Sequence, residues 1–220
     1  REAEMDIHLL KKDMVLIRKR FAVLFALGLV IFAVLEYQVR ESSVRWLPLP
    51  LLSCLFMYML VGLIYEKEER NQASYLLISA AYHRRDIMRC RFVFLVGLEV
   101  VFLLFCTVIN GFICRWSAGD LLLSAGLGML VGALPLSVMT PVMARFEYVK
   151  AQNAIMIVFF ALVIAFTLGT KAAGDMVTVL GRLGVLNAGT IFGGAVGICA
   201  VILILSCGIS VRMVEQREFY

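Results

Sequence analysis

Few residues in this chain could carry out chemistry, and most of them occur where packing explains them. The two histidines, His8 and His83, stand apart in polar segments. The chain contains no H-E-x-x-H zinc motif, G-x-S-x-G nucleophile elbow or G-x-x-x-x-G-K-[ST] phosphate loop. Its six cysteines form no CxxC pair, so we interpret them as buried apolar residues. The sequence predicts no catalytic residue, no metal site and no cofactor held by this chain.

Two polar residues inside one long apolar stretch remain as candidates. Glu99 and Asn110 lie about three helical turns apart in the stretch 92–113. Ionisable residues in a membrane segment often mark the path of a substrate or ion. Two interpretations stay open. Glu99 and Asn110 contribute to a substrate path, or Glu99 lies near the inner interface and is hydrogen-bonded or hydrated for structural reasons.

The composition points to a bilayer as the surroundings of these residues. Of the 220 residues 62% are hydrophobic and 17% are charged, against roughly 25% charged in soluble domains. Continuous apolar runs of about 20 residues are typical of membrane helices, whereas a β-barrel needs alternating segments. The sequence therefore predicts an all-α membrane protein with six transmembrane helices. Their predicted bounds are 21–39, 47–65, 92–113, 121–144, 153–170 and 190–211.

The basic residues predict the orientation of these helices. With both termini cytoplasmic, sixteen Lys and Arg residues lie inside and five lie outside, as expected from the positive-inside rule. This arrangement accounts for the net charge of +5. No soluble surface gathers the charges, so nucleic acid is not an expected partner.

The residues before the first span form a different element. Apolar residues recur every three or four positions in 5–20, with Lys and Arg on the other faces, which predicts an amphipathic interfacial helix. It would serve as a positive-inside anchor, or lie along the inner leaflet and help seat a cytoplasmic partner. Residues 1–4 precede Met5 and are interpreted as an expression or processing remnant. The transmembrane domain would occupy 21–220.

Two glycine pairs permit close approach of helices. They are Gly128 with Gly132 and Gly193 with Gly197. Either packing within the chain or a subunit interface would explain them.

A long polar segment separates the second and third spans. Residues 66–91, here called the cytoplasmic segment, are too many for a tight turn and contain an apolar cluster followed by basic residues. We expect a short helix, a bend and a second helix that runs into the third span. An element of this kind can dock into a groove of another protein.

The cytoplasmic segment also resembles a known family. The stretches Tyr65–Glu68, Leu76–Ser79 and Arg84–Met88, with Arg91, are similar to the cytoplasmic signature of small ABC-2 type transporter permeases of Gram-positive bacteria. The stretch Ser210–Phe219 is similar to the C-terminal tail of the same permeases. Six spans and an N-terminal amphipathic helix agree with this family, so the resemblance extends over nearly the whole chain.

There is one departure from the pattern. Ala80 and Ala81 stand where the family usually has leucine and proline, and Met88 stands where it has valine. The departure affects the expected tightness of the bend.

The resemblance implies a permease subunit of an ATP-binding-cassette exporter in the bacterial cytoplasmic membrane. It would pair with a second permease, identical or related, and with two ATPase subunits that bind ATP and Mg. Its cargo would be an amphipathic or hydrophobic substrate, such as a toxin or antimicrobial peptide, and the chain itself would not be an enzyme. The expected coupling residues are Glu66, Leu76, Leu77, Ser79, Arg84, Arg85, Asp86, Ile87 and Arg91.

Two other functions remain as alternatives. A secondary transporter or channel would show internal repeats and interrupted, charged helices, and neither is evident in the sequence. A non-transporting assembly factor or sensor would use the cytoplasmic segment to bind something other than an ATPase.

Overall fold

Five long helices dominate the part of the chain that the computed structural model describes, which is residues 2–39, 48–70, 84–114, 116–146, 156–157 and 188–215. No strand occurs within these ranges. A π-helical turn, Asn110–Cys114, continues the third helix. The helices are α1 (Glu2–Val39), α2 (Pro48–Arg70), α3 (Arg84–Ile109), α4 (Ala118–Arg145) and α5 (Ala188–Glu215).

Each of the five helices is long and apolar enough to cross a membrane. The prediction of an all-helical membrane protein is confirmed for the described residues. The predicted span 153–170 lies outside them, apart from residues 156–157, so the sixth helix stays a prediction. The candidate spans are Arg20–Gln38, Pro48–Arg70, Arg85–Phe112, Ala118–Met143 and Gly189–Val214.

The first helix differs from the expected arrangement of two elements. Residues 5–20 and 21–39 belong to one uninterrupted helix. The stretch contains no proline, and its single glycine, Gly28, lies well inside the apolar half, so nothing in the sequence breaks the helix at residue 20. The amphipathic part thus extends α1 instead of forming a separate element, and its place at the membrane interface stays a prediction.

The helix α2 lies at the centre of the described bundle. It contacts α1, α3 and α4, and 72% of its candidate span is buried, against 11% for α1. Phe56 of α2 stacks on Phe102 of α3, with ring centroids 4.1 Å apart and planes at 8°. The ring of Phe25, from α1, meets both of these rings edge-on. This aromatic group joins α1, α2 and α3.

The two glycine pairs have different surroundings. A Cβ atom on Gly128 would lie 2.9 Å from a methyl group of Leu103, and one on Gly132 would overlap side chains of α2 and α3. For this pair the interpretation as packing within the chain is confirmed. By contrast, a Cβ atom on Gly193 or Gly197 would meet no described atom within 4 Å.

The cysteines have the surroundings that the sequence predicts. Most of those whose side chains are described are free thiols in the bundle interior, and Cys207 is half-buried. The buried thiols are Cys54, Cys90, Cys106 and Cys199.

Candidate functional site

A buried ion pair joins the last turns of α2 to the second turn of α3. Arg91 Nη2 lies 2.6 Å from Glu68 Oε2, with 3% and 7% of the two side chains exposed. The Arg91 guanidinium also lies over the Tyr65 ring, 4.8 Å from its centroid. Asp13 of α1 is buried within electrostatic range of both Arg91 and Tyr65. These four residues are here called the ion cluster.

The residue types of this cluster suit its burial. Arginine stacks on aromatic faces and is more weakly hydrated than lysine, so it is the base that proteins favour in buried ion pairs. Buried charges are tolerated when each has a partner. Because Glu68 lies two residues before the end of α2 and Arg91 seven residues after the start of α3, the cluster fixes both ends of the intervening chain.

A second, exposed ion pair lies at the same end of the molecule. Arg20 Nη1 of α1 donates a hydrogen bond to Glu66 Oε1 of α2 over 3.3 Å. The same carboxylate oxygen lies 4.0 Å from Arg70 Nη1. Solvent screens such contacts, so they contribute little to stability.

The residues expected to couple the chain to a partner occupy three kinds of position. Arg85 is exposed, and Asp86 and Ile87 are half-buried on the first turn of α3. Glu66 is partly exposed, whereas Arg91 is buried and lies behind the surface. Arg84 begins α3, but its side chain is not among those described. The expected residues Leu76, Leu77 and Ser79 lie outside the described ranges.

Sequence reasoning did not single out the partners of Arg91. Tyr65 and Glu68 are three residues apart and therefore lie on one face of α2, which was the available signal. Asp13 gave no such signal, because pairing between helices distant in sequence cannot be read from either helix alone. The structure brings all three to Arg91.

Glu99 lies in the middle of the membrane segment. It comes fourteen residues after Arg85 and thirteen before Phe112 in its candidate span. Its residue exposure is 1%, and among the described residues neither carboxylate oxygen has a hydrogen-bond partner. This depth differs from the interpretation of a carboxyl near the inner interface.

The surroundings of Glu99 include a second polar atom. The Ser53 hydroxyl of α2 is also buried and has no hydrogen-bond partner within the described ranges. A Cβ atom built on Gly132 of α4 would overlap both Glu99 Oε1 and Ser53 Oγ. Glu99, Ser53 and Gly132 are therefore adjacent, and we call them the Glu99 niche.

Asn110 does not share this site with Glu99. Its side-chain Nδ2 donates a hydrogen bond to Glu36 Oε1 over 3.4 Å, and both residues are buried. Asn110 opens the π-helical turn after α3, and the contact joins that turn to α1. Glu36 is a site residue that the sequence analysis missed, because it lies near one end of its apolar run.

The helices and their buried polar groups define a multi-pass helical membrane protein. The model of the family described as ABC-2 family transporter protein matches residues 8–215, which is nearly the whole chain. The protein therefore belongs to this family and is a transmembrane transporter permease. The resemblance to ABC-2 type permeases is confirmed at this level, and family membership implies an ATPase partner. No curated protein and no solved structure matches the chain.

Proposed function

We propose that this chain is the permease subunit of an ATP-driven exporter. It pairs with a second permease and with two ATPase subunits that bind ATP and Mg. The observation that carries the proposal is the ion cluster. The chain belongs to a transporter family, and its own sequence contains no ATPase motif. A buried ion pair between the two ends of the cytoplasmic segment suits a segment on which a partner protein pushes.

The Glu68–Arg91 pair would transmit a movement of the partner to the membrane helices. A partner that pushes on the cytoplasmic segment pushes on the ends of α2 and α3 together, because Glu68 and Arg91 are paired. The helix α2 is central and contacts α1, α3 and α4. A rigid movement of α2 therefore repacks the bundle, as in other transitions in which packed helices shift against each other.

The membrane faces and the family resemblance support a proposal for the cargo class. The outward faces of α1, α3 and α5 are rich in exposed apolar residues, which suit lipid or an amphipathic substrate. We propose export of an amphipathic or hydrophobic peptide across a bacterial cytoplasmic membrane. The basic residues Arg20, Arg70, Arg85 and Arg212 at one end of the described spans support cytoplasmic termini.

The first experiment is affinity purification of the chain from its native host, followed by an assay of ATP hydrolysis. Recovery of a P-loop ATPase whose turnover rises with an amphipathic peptide supports the proposal. A stable complex without an ATPase counts against it and favours a secondary transporter or an assembly protein.

A charge-reversal variant tests the docking surface. Arg84→Glu combined with Asp86→Arg should abolish peptide-stimulated hydrolysis of ATP, since both residues lie in the first turn of α3, within the cytoplasmic segment. Arg145→Glu is the matched control, because Arg145 is exposed in the last turn of α4 and lies outside the cytoplasmic segment. Stimulated hydrolysis that survives the double reversal contradicts the assignment of this segment.

A further inference from the structure

One acid, Glu99, lies in the middle of a described membrane span, and the nearest charged residue on its own helix is Arg91. Charged residues inside a membrane protein commonly mark groups that bind a substrate or an ion. A buried acid at this depth favours a cationic cargo over an anionic one.

Glu99 differs from another buried acid, Glu36, in how far its hydrogen-bonding capacity is used. Glu36 accepts a hydrogen bond from Asn110. Glu99 accepts none from the described residues, although its side chain is as deeply buried. A buried carboxyl group without a hydrogen-bond partner is unfavourable. An incoming hydrogen-bond donor would therefore stabilise Glu99 more than Glu36.

The shape of the Glu99 niche limits what that donor can be. Glu99 Oε1 and Ser53 Oγ both lie next to Gly132 of α4, a residue without a side chain. A carboxylate and a hydroxyl can both accept hydrogen bonds. A primary ammonium group carries three N–H donors on a compact charge, so it can serve both oxygens at once.

Depth excludes a lipid headgroup as the source of the ammonium. Glu99 lies eight residues from Arg91 and eleven from Asn110, which is about 12 Å and about 16 Å along the helix axis. Headgroups lie outside a hydrocarbon core of about 30 Å. The donor must belong to a molecule that enters the bundle.

We propose that the Glu99 niche binds a primary ammonium group of the cargo, so that the exporter takes cationic amphipathic peptides. The inference rests on the proposed function and adds the charge class of its substrate. The niche is closed in this structure, so the ammonium group can enter it only when α4 moves relative to α2 and α3. Glu99 then accepts from the ammonium group, and Ser53 accepts a second of its hydrogens.

Carbodiimide labelling tests this site without an ATPase. The full chain in phosphatidylcholine vesicles is treated with dicyclohexylcarbodiimide, an apolar reagent for carboxyl groups, and labelling of Glu99 and Glu36 is followed by mass spectrometry. Dodecylammonium should slow labelling of Glu99 about tenfold, the effect of one charged hydrogen bond. Dodecanol and dodecyltrimethylammonium, which lack the charge or the N–H donors, should not slow it. Labelling of Glu36 is the internal control and should not change.

Equal rates of Glu99 labelling with all three amphiphiles would overturn the proposal. Two glycine variants test whether the amine binds in the Glu99 niche or elsewhere. Gly132→Ala places a methyl group in the niche and should abolish protection of Glu99. Gly97→Ala, on the same helix as Glu99, adds its methyl group where no described atom lies within 4 Å and should preserve protection. Protection that persists in Gly132→Ala would place the ammonium site elsewhere.

Peptide transport by the complex with its ATPase separates this inference from the proposed function. A lysine-containing amphipathic peptide and its norleucine analogue are compared. A KM about tenfold lower for the lysine peptide, lost in Glu99→Gln, supports the site. Equal KM values for the two peptides, with active transport of both, would refute the ammonium site but would agree with the proposed exporter function. Ammonium protection without ATP-driven transport of either peptide would refute the exporter and leave the site standing.

Discussion

Removal of one partner from the Glu68–Arg91 pair should strongly destabilise the protein. The side chains are 3% and 7% exposed and their charged atoms are 2.6 Å apart, so each single change removes the nearest opposite charge from a buried ion. Such a loss costs about 3–5 kcal/mol. Arg91→Met and Glu68→Gln should each lower the free energy of unfolding by this amount. The double variant should cost clearly less than the sum, because it leaves neither charge behind.

The measurement is reversible unfolding of the purified chain in mixed micelles with a rising fraction of dodecyl sulfate. The exposed pair Arg20 and Glu66 is the matched control, since it also joins two helices at this end of the bundle but has side chains 51% and 35% exposed. Its interaction should contribute about 0–1 kcal/mol. A double-mutant interaction for Glu68 and Arg91 as small as that of the control would refute the reasoning.

Three further predictions concern contacts between helices. Phe102→Ala removes a stacked ring and should cost about 2 kcal/mol of unfolding free energy, the cavity part alone, because lipid is as apolar as the bundle interior. Asn110→Leu removes the donor to Glu36 and should cost about 1–3 kcal/mol; an unchanged unfolding midpoint would contradict that contact. Ser206→Ala removes the hydrogen bond from Ser206 Oγ to Ser137 O, 2.8 Å long, and should cost about 0.6 kcal/mol. Ser137→Ala is the control in the same titration, because that hydroxyl bonds to its own helix.

The positions of the spans could be predicted from sequence because each span is an uninterrupted local signal. The prediction 121–144 corresponds to a candidate span Ala118–Met143, and the difference at its start has a local cause. Ser117 Oγ accepts a hydrogen bond from Asp120 N and caps α4, so the helix begins at Ala118, three residues before the predicted apolar run. Hydropathy reports where lipid can begin, whereas the cap sets where the helix begins.

The contacts of the candidate sites could not be predicted in the same way. Glu99 and Asn110 are on one helix and three turns apart, which suggested one path, but the structure gives them different neighbours. Those neighbours come from α1, α2 and α4, at sequence distances that no local period encodes. The resemblance to a family suggested Arg91 as a coupling residue, whereas the structure buries its side chain against Glu68.

The ion cluster and the Glu99 niche lie on the same two helices. Arg91 and Glu99 both belong to α3, while Glu68 and Ser53 both belong to α2. The buried ion pair holds α2 and α3 together at one end, and α4 faces the niche with Gly132. Movement of α4 away from the α2–α3 pair would therefore admit a donor to Glu99 without breaking the ion pair. Substitution of Arg91 should then impair coupling to ATP hydrolysis, and substitution of Gly132 should impair discrimination between cationic and neutral cargo.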